Sequence, residues 1–107
     1  MKLIISVLFL LMVAFGFAQK ATTANFDKAK KSFHSQEYKK TIEHCNLVLI
    51  SDSLFVEAYI YRGVSNHLLT ENKEALLDLN KAIEIDPKNA KAYRNRAAVK
   101  HEIKNYE

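Results

Sequence analysis

The chain has very few of the residues that interrupt helices or cross-link a fold. Its 107 residues include two glycines, one proline, one cysteine and no tryptophan. So little glycine and proline favours long helices over sheets that need many turns. The lone Cys45 excludes an intramolecular disulfide in any compartment. A chain of this length has room for one folded domain.

Concentrated charge of one sign is also lacking. The formal net charge is +4, and lysines and arginines are scattered among aspartates and glutamates. The densest positive stretches are short pairs such as Lys30-Lys31 and Lys39-Lys40. A nucleic-acid surface usually carries a basic stripe with interleaved aromatic residues, which this sequence does not have. We therefore expect no nucleic-acid partner.

Sequence motifs that carry chemistry are missing as well. There is no Gly-rich phosphate loop, no Ser-centred elbow and no HExxH or CxxC pattern. His44 and Cys45 are adjacent, but neighbours on a helix point about 100° apart and do not face each other as a catalytic dyad must. Cys45 is better explained as a small buried side chain. We predict that the protein is not an enzyme and needs no cofactor or small-molecule substrate.

Two of the four histidines invite a metal-site interpretation. His67 and His101 lie 34 residues apart, and on adjacent packed helices they would be roughly 10 Å apart. A stable site needs three or four ligands and a supporting second shell, which two imidazoles do not provide. We predict no metal site and expect these histidines to be solvated or to lie at a groove edge.

The first eighteen residues have the organisation of a signal peptide. Lys2 is followed by a nearly unbroken apolar run over residues 3–17, and Gly16 and Ala18 supply the small residues of a cleavage site. A transmembrane helix needs about 20 apolar residues, and this run is shorter. A retained membrane anchor or a buried core helix is therefore a less favoured alternative. The ending Phe17-Ala18-Gln19 resembles signal peptides of the Bacteroidota. We predict that a Gram-negative cell exports the protein, to the periplasm or as a secreted protein, with cleavage after Ala18 and membrane contact only during export.

A repeat of 34 residues extends through the rest of the chain without a gap. Residues of similar size or type superpose when the sequence is shifted by this length. The matched sets are Ala29, Gly63 and Ala97; Thr41 and Ala75; Val48 and Ala82; Tyr59 and Tyr93; Ser53 and Pro87.

Each period predicts two helices packed against each other. Small residues on facing sides allow two antiparallel helices to approach within about 8–10 Å. These small residues are Gly63, Ala75 and Ala82. The polar residues of Thr70–Asn72 are expected to separate and cap the two helices. Asp86-Pro87 ends the second helix, and Asn89 is expected to cap the next one.

The central period closely resembles the tetratricopeptide repeat. The resemblance rests on Glu57-Ala58-Tyr59, Arg62-Gly63, Glu74-Ala75 and the stretch from Leu79 to Pro87. It implies an all-α fold, an α-solenoid of antiparallel helical hairpins with about two and a half repeats, forming domain 19–107. The repeats cover about 22–55, 56–89 and, in part, 90–107. Helices are expected at about 23–35, 38–51, 54–69, 73–86 and 89–104.

The same resemblance implies a function. In this family the first helices of successive repeats line a concave groove that binds a peptide. The groove positions here are Phe26, Lys30, Ile60, Tyr61, Val64, Lys91, Arg94, Asn95 and Ala98. Some of the apolar members could instead only pack against a neighbouring hairpin. We predict an interaction module, acting as a scaffold or adaptor, with a protein or peptide partner.

One subclass of the family binds a C-terminal carboxylate with five polar residues. The matching positions here carry Phe26, Lys30, Tyr61, Lys91 and Asn95, of which only Lys91 fits. The resemblance therefore argues against binding of chaperone tails.

Two alternative functions remain open. The chain could be a structural section of a longer solenoid, such as the ectodomain of a membrane regulator or an assembly factor. A metal- or small-ligand-binding protein that uses the histidines is a weaker alternative.

The last predicted helix carries an apolar stripe with no partner helix, which predicts marginal stability of the domain or self-association through this helix. This stripe contains Tyr93, Ala97, Ala98 and Ile103.

Overall fold

The computed structural model describes residues 1–106, and within them every regular element is an α-helix. The helices are α1 (Lys2–His34), α2 (Tyr38–Ser51), α3 (Val56–Leu68), α4 (Asn72–Ile85) and α5 (Ala90–Tyr106). The predicted all-α fold is confirmed. The predicted bounds of the last four helices agree with the observed ones to within a few residues.

The first helix is longer than predicted. We expected it to begin near residue 23, but α1 is continuous from Lys2, so the apolar segment and the first repeat helix are a single rod. No proline interrupts this stretch, and Gly16 alone does not break a helix. Every residue from Met1 to Ala21 is exposed, and Thr22 is the first buried one. The packed domain thus begins close to the predicted mature N-terminus.

The helices form hairpins that stack on one another. Helix α1 packs on α2, and α3 packs on α4, while α5 packs on α4. Helices α1 and α5 each also contact α3. The first helices of successive hairpins therefore lie side by side, which is the arrangement that creates a groove lined by α1, α3 and α5.

Small residues make the close approach inside the central hairpin possible. Gly63, Ala75 and Ala82 are all buried, as predicted. A Cβ atom at Gly63 would lie 3.1 Å from Cγ of Leu79 and 3.3 Å from the carbonyl oxygen of Ala75. There is space for glycine at this crossing and for very little more.

The turns inside the two hairpins share one backbone geometry. Gln36 and Thr70 lie 34 residues apart, and both adopt positive φ angles, of 60° and 65°. After α3, the amide of Glu71 donates to the carbonyl of Asn66 at 2.8 Å, the bond that closes a helix C-terminus of this kind.

The expected side-chain capping at Thr70–Asn72 is wrong, because the N-cap of α4 makes no side-chain hydrogen bond. Asn89 does cap α5, accepting from the amide of Ala92 at 3.1 Å.

The repeat extends to individual hydrogen bonds. Arg62 Nη1 donates to Asn46 Oδ1 at 2.8 Å, and Arg96 Nη1, 34 residues further on, donates to Asn80 Oδ1 at 3.0 Å. Each bond joins the first helix of one repeat to the second helix of the repeat before it. The predicted 34-residue register is therefore present in side-chain geometry as well as in the helix pattern.

Candidate functional site

The groove between α1, α3 and α5 contains a cavity of about 310 Å³. All three helices contribute to its walls. The lining residues are Phe33, Ile60, Tyr61, Val64, Lys91, Arg94 and Asn95. Six of these belong to the predicted groove set, so the structure brings the α3 and α5 members together as one surface.

One wall of the cavity is aromatic. The Tyr61 ring stands edge-on to Phe33, with centroids 5.2 Å apart, and edge-on to Phe26 at 5.5 Å. Phe33 in turn contacts Tyr38, at 5.6 Å between centroids. Edge-to-face pairs contribute about 0.5–1.5 kcal/mol each beyond the burial of area, so these rings stabilise one another as a continuous apolar surface. Ile60, only 3% exposed, and the half-buried Val64 extend that surface along α3.

The opposite wall of the cavity is cationic. Lys91 and Arg94 lie exposed on α5, and Asn95 donates from Nδ2 to the carbonyl of Lys91 at 2.9 Å. Among residues 1–106, neither cation forms an ion pair within the protein. Their charge therefore faces the groove uncompensated, where it favours an anionic group on a ligand.

Three predicted groove residues lie outside the cavity. Phe26 is 7% exposed and belongs to the core around Ala29 and Cys45, so its role is packing. Lys30 lies over the Phe26 ring, 4.9 Å from its centroid, and pairs with Asp27 at 3.4 Å. Ala98 is exposed on α5. For Phe26, the alternative that an apolar position packs against a neighbouring hairpin describes the structure.

The prediction missed Phe33, which forms part of the cavity wall. Its position contains a usable signal, because Phe33 follows Phe26 by seven residues and such residues lie on the same face of a helix. Phe33 lies about one helical turn beyond Lys30, so the groove assignment on α1 ended one turn too early.

The two histidines, which we expected to be solvated or to lie at a groove edge, differ in the structure. His101 is exposed, but His67 Nδ1 lies 2.8 Å from Oε2 of Glu102 and 3.0 Å from Oδ1 of Asn72. His67 on α3 therefore joins α4 and α5, a structural role that spacing alone did not indicate. Within residues 1–106, no cluster of three or more His, Cys, Asp or Glu side chains is arranged to hold a metal ion.

Cys45 has the environment of a packing residue. It is completely buried on α2, and this burial raises the pKa of its thiol to about 12. The reactive form of cysteine is the thiolate, which is almost absent at neutral pH when the pKa is so high. Cys45 is therefore a packing residue. The groove has an apolar wall and a cationic wall, which suit binding by contact and charge.

A stacked series of antiparallel helical hairpins is the architecture of an α-solenoid. Residues 70–104 match the family model of the TPR repeat. The TPR2B domain of yeast Sti1, solved as a complex with pHsp70, is similar with a TM-score of 0.78 and 23% identity, over 81% of this chain and 70% of that one. The Arabidopsis OM64 TPR domain gives a TM-score of 0.79 and 21% identity, over 83% and 74%. These structures share the hairpin solenoid fold with this chain.

A curated relative is similar in sequence. The Hsp70-Hsp90 organizing protein of Triticum aestivum is 31% identical over 81 residues, which is 76% of this chain. The match spans only 14% of the wheat protein. Together, the family-model match and the structural neighbours support the resemblance to the tetratricopeptide repeat family.

Proposed function

We propose that this protein is an interaction module that binds a segment of a partner protein in the groove between α1, α3 and α5. The observation that carries the proposal is the cavity with an aromatic wall on one side and unpaired cations on the other. Pockets that recognise a ligand combine a broad apolar surface with a few well-placed polar groups. The solved TPR domain of Sti1, in complex with pHsp70, supports the same use of the fold.

The chemistry of the two walls defines the preferred segment. A bulky apolar side chain fits against Phe33, Tyr61 and Val64, while a neighbouring carboxylate meets Lys91 and Arg94. Aromatic contact supplies most of the buried area, and the charges select orientation and partner. We therefore propose a ligand in which an aromatic or large aliphatic residue stands next to an acidic one.

This ligand need not be a chaperone tail. Names and titles of similar proteins mention Hsp70 and Hsp90. At the positions of the carboxylate-binding subclass, however, this chain has Phe26 buried in the core and Tyr61 in the aromatic wall. Of the five positions only Lys91 keeps the expected type. We propose that partner choice here depends more on apolar contact than in that subclass.

A pair of double variants tests the groove. The probe is a short fluorescent peptide with Phe flanked by glutamates, and its Gln counterpart measures the contribution of charge. Tyr61→Ala with Lys91→Ala removes one contact of each kind. We expect a loss of binding of about tenfold or more, since each contact contributes on the order of 1 kcal/mol. Helicity measured by circular dichroism should not change.

The matched control is Leu77→Ala with Lys73→Ala, which removes the same kinds of side chain from exposed positions on α4. The proposal predicts that this control binds the probe normally. Binding that survives the groove variant but is lost in the α4 variant would place the ligand on the other face of the solenoid.

We also propose that the protein is exported and that its mature chain begins at Gln19. The support is the exposed apolar half of α1, whose most hydrophobic 18-residue window has a mean hydropathy of 2.1 and no buried residue. By length and composition this helix could also cross a membrane, the alternative of a retained anchor. Intact-mass measurement of periplasmic protein tests the proposal. A mass that includes residues 1–18 would contradict cleavage, and Met1-containing protein in the cytoplasm would contradict export.

A further inference from the structure

The end of the first hairpin that lies beside the apolar half of α1 carries exposed apolar side chains. Ile50, on the last turn of α2, retains 82% of its surface, and Leu54, in the α2–α3 connection, retains 66%. We call these two residues the base patch. On the same helix Cys45 and Val48 are completely buried, so the base patch lies on the side away from the core.

The base patch lies level with the last apolar turns of α1. Thr22 Oγ1 is 2.6 Å from Ser51 Oγ, a contact that joins α1 to the C-terminal end of α2. Phe15 lines one cavity, of about 410 Å³, with Asp52 and Phe55. The chain therefore returns to the foot of the apolar segment before it enters α3. The apolar segment and the base patch together form one extended apolar surface, and surfaces of that size mark protein or membrane interaction sites.

The α2–α3 connection holds Leu54 outward. The amide of Leu54 donates to Oδ1 of Asp52 at 3.1 Å, and the amide of Phe55 donates to the carbonyl of Asp52 at 3.3 Å. The ring of Phe55 turns inward and contacts the ring of Phe26, with centroids 4.7 Å apart. Two successive side chains therefore take opposite directions, and the exposure of Leu54 is a property of the folded turn.

The apolar half of α1 indicates what covers the base patch. By length and composition α1 could cross a membrane, and its most hydrophobic 18-residue window has no buried residue. Export brings such a segment into a bilayer, so this inference rests on the proposed export. The run over residues 3–17 is about 23 Å long as a helix, whereas the hydrocarbon core of a bilayer is about 30 Å thick. A short span thins the bilayer around it, which brings the headgroups to the residues that flank the span.

We propose that in the uncleaved protein the base patch docks on the phospholipid surface from which α1 emerges. Ile50 and Leu54 enter the boundary between headgroups and acyl chains, while the exposed Lys20 extends its ammonium toward lipid phosphates. Phe33 lies eleven residues beyond Thr22 on α1, about 16 Å further from the bilayer, so the groove stays accessible. The first hairpin thus stands upright on the membrane until cleavage releases it.

Single tryptophans test the docking, because the chain has none of its own. The full chain carrying Leu54→Trp is reconstituted into phosphatidylcholine vesicles with brominated acyl chains, which quench an indole that reaches them. We expect Leu54→Trp to lose most of the emission that it has in vesicles without bromine. Leu68→Trp is the matched control and should keep its emission, because Leu68 is also exposed but lies at the other end of α3, about 20 Å away.

A second pair of variants separates docking from simple tethering by α1. Ile50→Glu added to Leu54→Trp should restore much of the emission, because a carboxylate resists entry into the acyl region. Leu77→Glu added to Leu54→Trp makes the same change at an exposed position on α4 and should restore none.

Each outcome bears on either the docking or the export. The docking is overturned if Leu54→Trp in membrane-bound protein is quenched no more than Leu68→Trp, or if Ile50→Glu leaves the quenching unchanged. Neither result affects the proposed export. Protein that never enters the vesicles would overturn the docking and would also contradict the membrane insertion that export requires.

Discussion

Replacing Thr70 with glycine should stabilise the protein, although it removes a side chain. Thr70 closes α3 at a φ of 65°, in the left-handed region. A residue with a Cβ atom is less stable there by about 1–2 kcal/mol, and a β-branched residue is especially unsuited. Glycine avoids this strain but increases the conformational freedom of the unfolded chain, which costs about 0.5–1 kcal/mol. The net expectation is a gain of about 0.5–1 kcal/mol.

Thermal unfolding followed by circular dichroism measures this gain. In a domain of this size 1 kcal/mol corresponds to about 4–8 °C, so Thr70→Gly should raise Tm by about 2–8 °C. Gln36→Gly, at a φ of 60°, should also stabilise. The matched control is Ser35→Gly, because Ser35 has an ordinary φ of −84° and glycine there should destabilise. Backbone strain is refuted as the cause if Thr70→Gly and Ser35→Gly shift Tm equally.

Two further substitutions and one labelling experiment test the packing. Ala82→Leu should overfill the fully buried α3–α4 contact and lower the free energy of unfolding by about 1–3 kcal/mol, measured by urea titration; an unchanged midpoint would refute the repeat register. Arg62→Gln should cost about 2 kcal/mol in the same assay, because it leaves Asp78 buried without its bidentate partner, whereas Lys81→Gln in an exposed pair should cost almost nothing. Cys45, whose pKa burial raises to about 12, should resist alkylation at pH 8 until the protein unfolds; rapid labelling of the native protein would contradict its burial.

The helical hairpins could be predicted because their signals are local and repeated. Small residues recur in one register at Ala29, Gly63 and Ala97, and Asp86-Pro87 ends a helix; both signals have a direct meaning for helix packing. The length of α1 was not predictable in the same way. The apolar segment was set apart as a targeting signal, while nothing in its residues ends a helix before His34.

The groove could be predicted in position better than in detail. The repeat register assigned Ile60, Tyr61 and Lys91 to one surface, and they do line one cavity. It could not show that Phe26 is buried, because burial depends on how one hairpin packs against the next. Phe33 was missed for another reason, since its spacing of seven residues from Phe26 already placed it on the same face of α1. The His67–Glu102 pair is likewise a contact between α3 and α5 that appears only when the helices are packed.

The hydrogen bonds of Arg62 to two different helices affect how the groove binds a ligand. Arg62 Nη1 holds Asn46 on α2, and its other donors hold Asp78 on α4, so one side chain spans the layer of helices behind the groove. This strut links α2 and α4 through α3 in the absence of a ligand. A groove of preset curvature loses little conformational freedom on binding, which leaves more of the contact energy for affinity. Weakening the strut should therefore reduce affinity for a groove ligand that never touches Arg62.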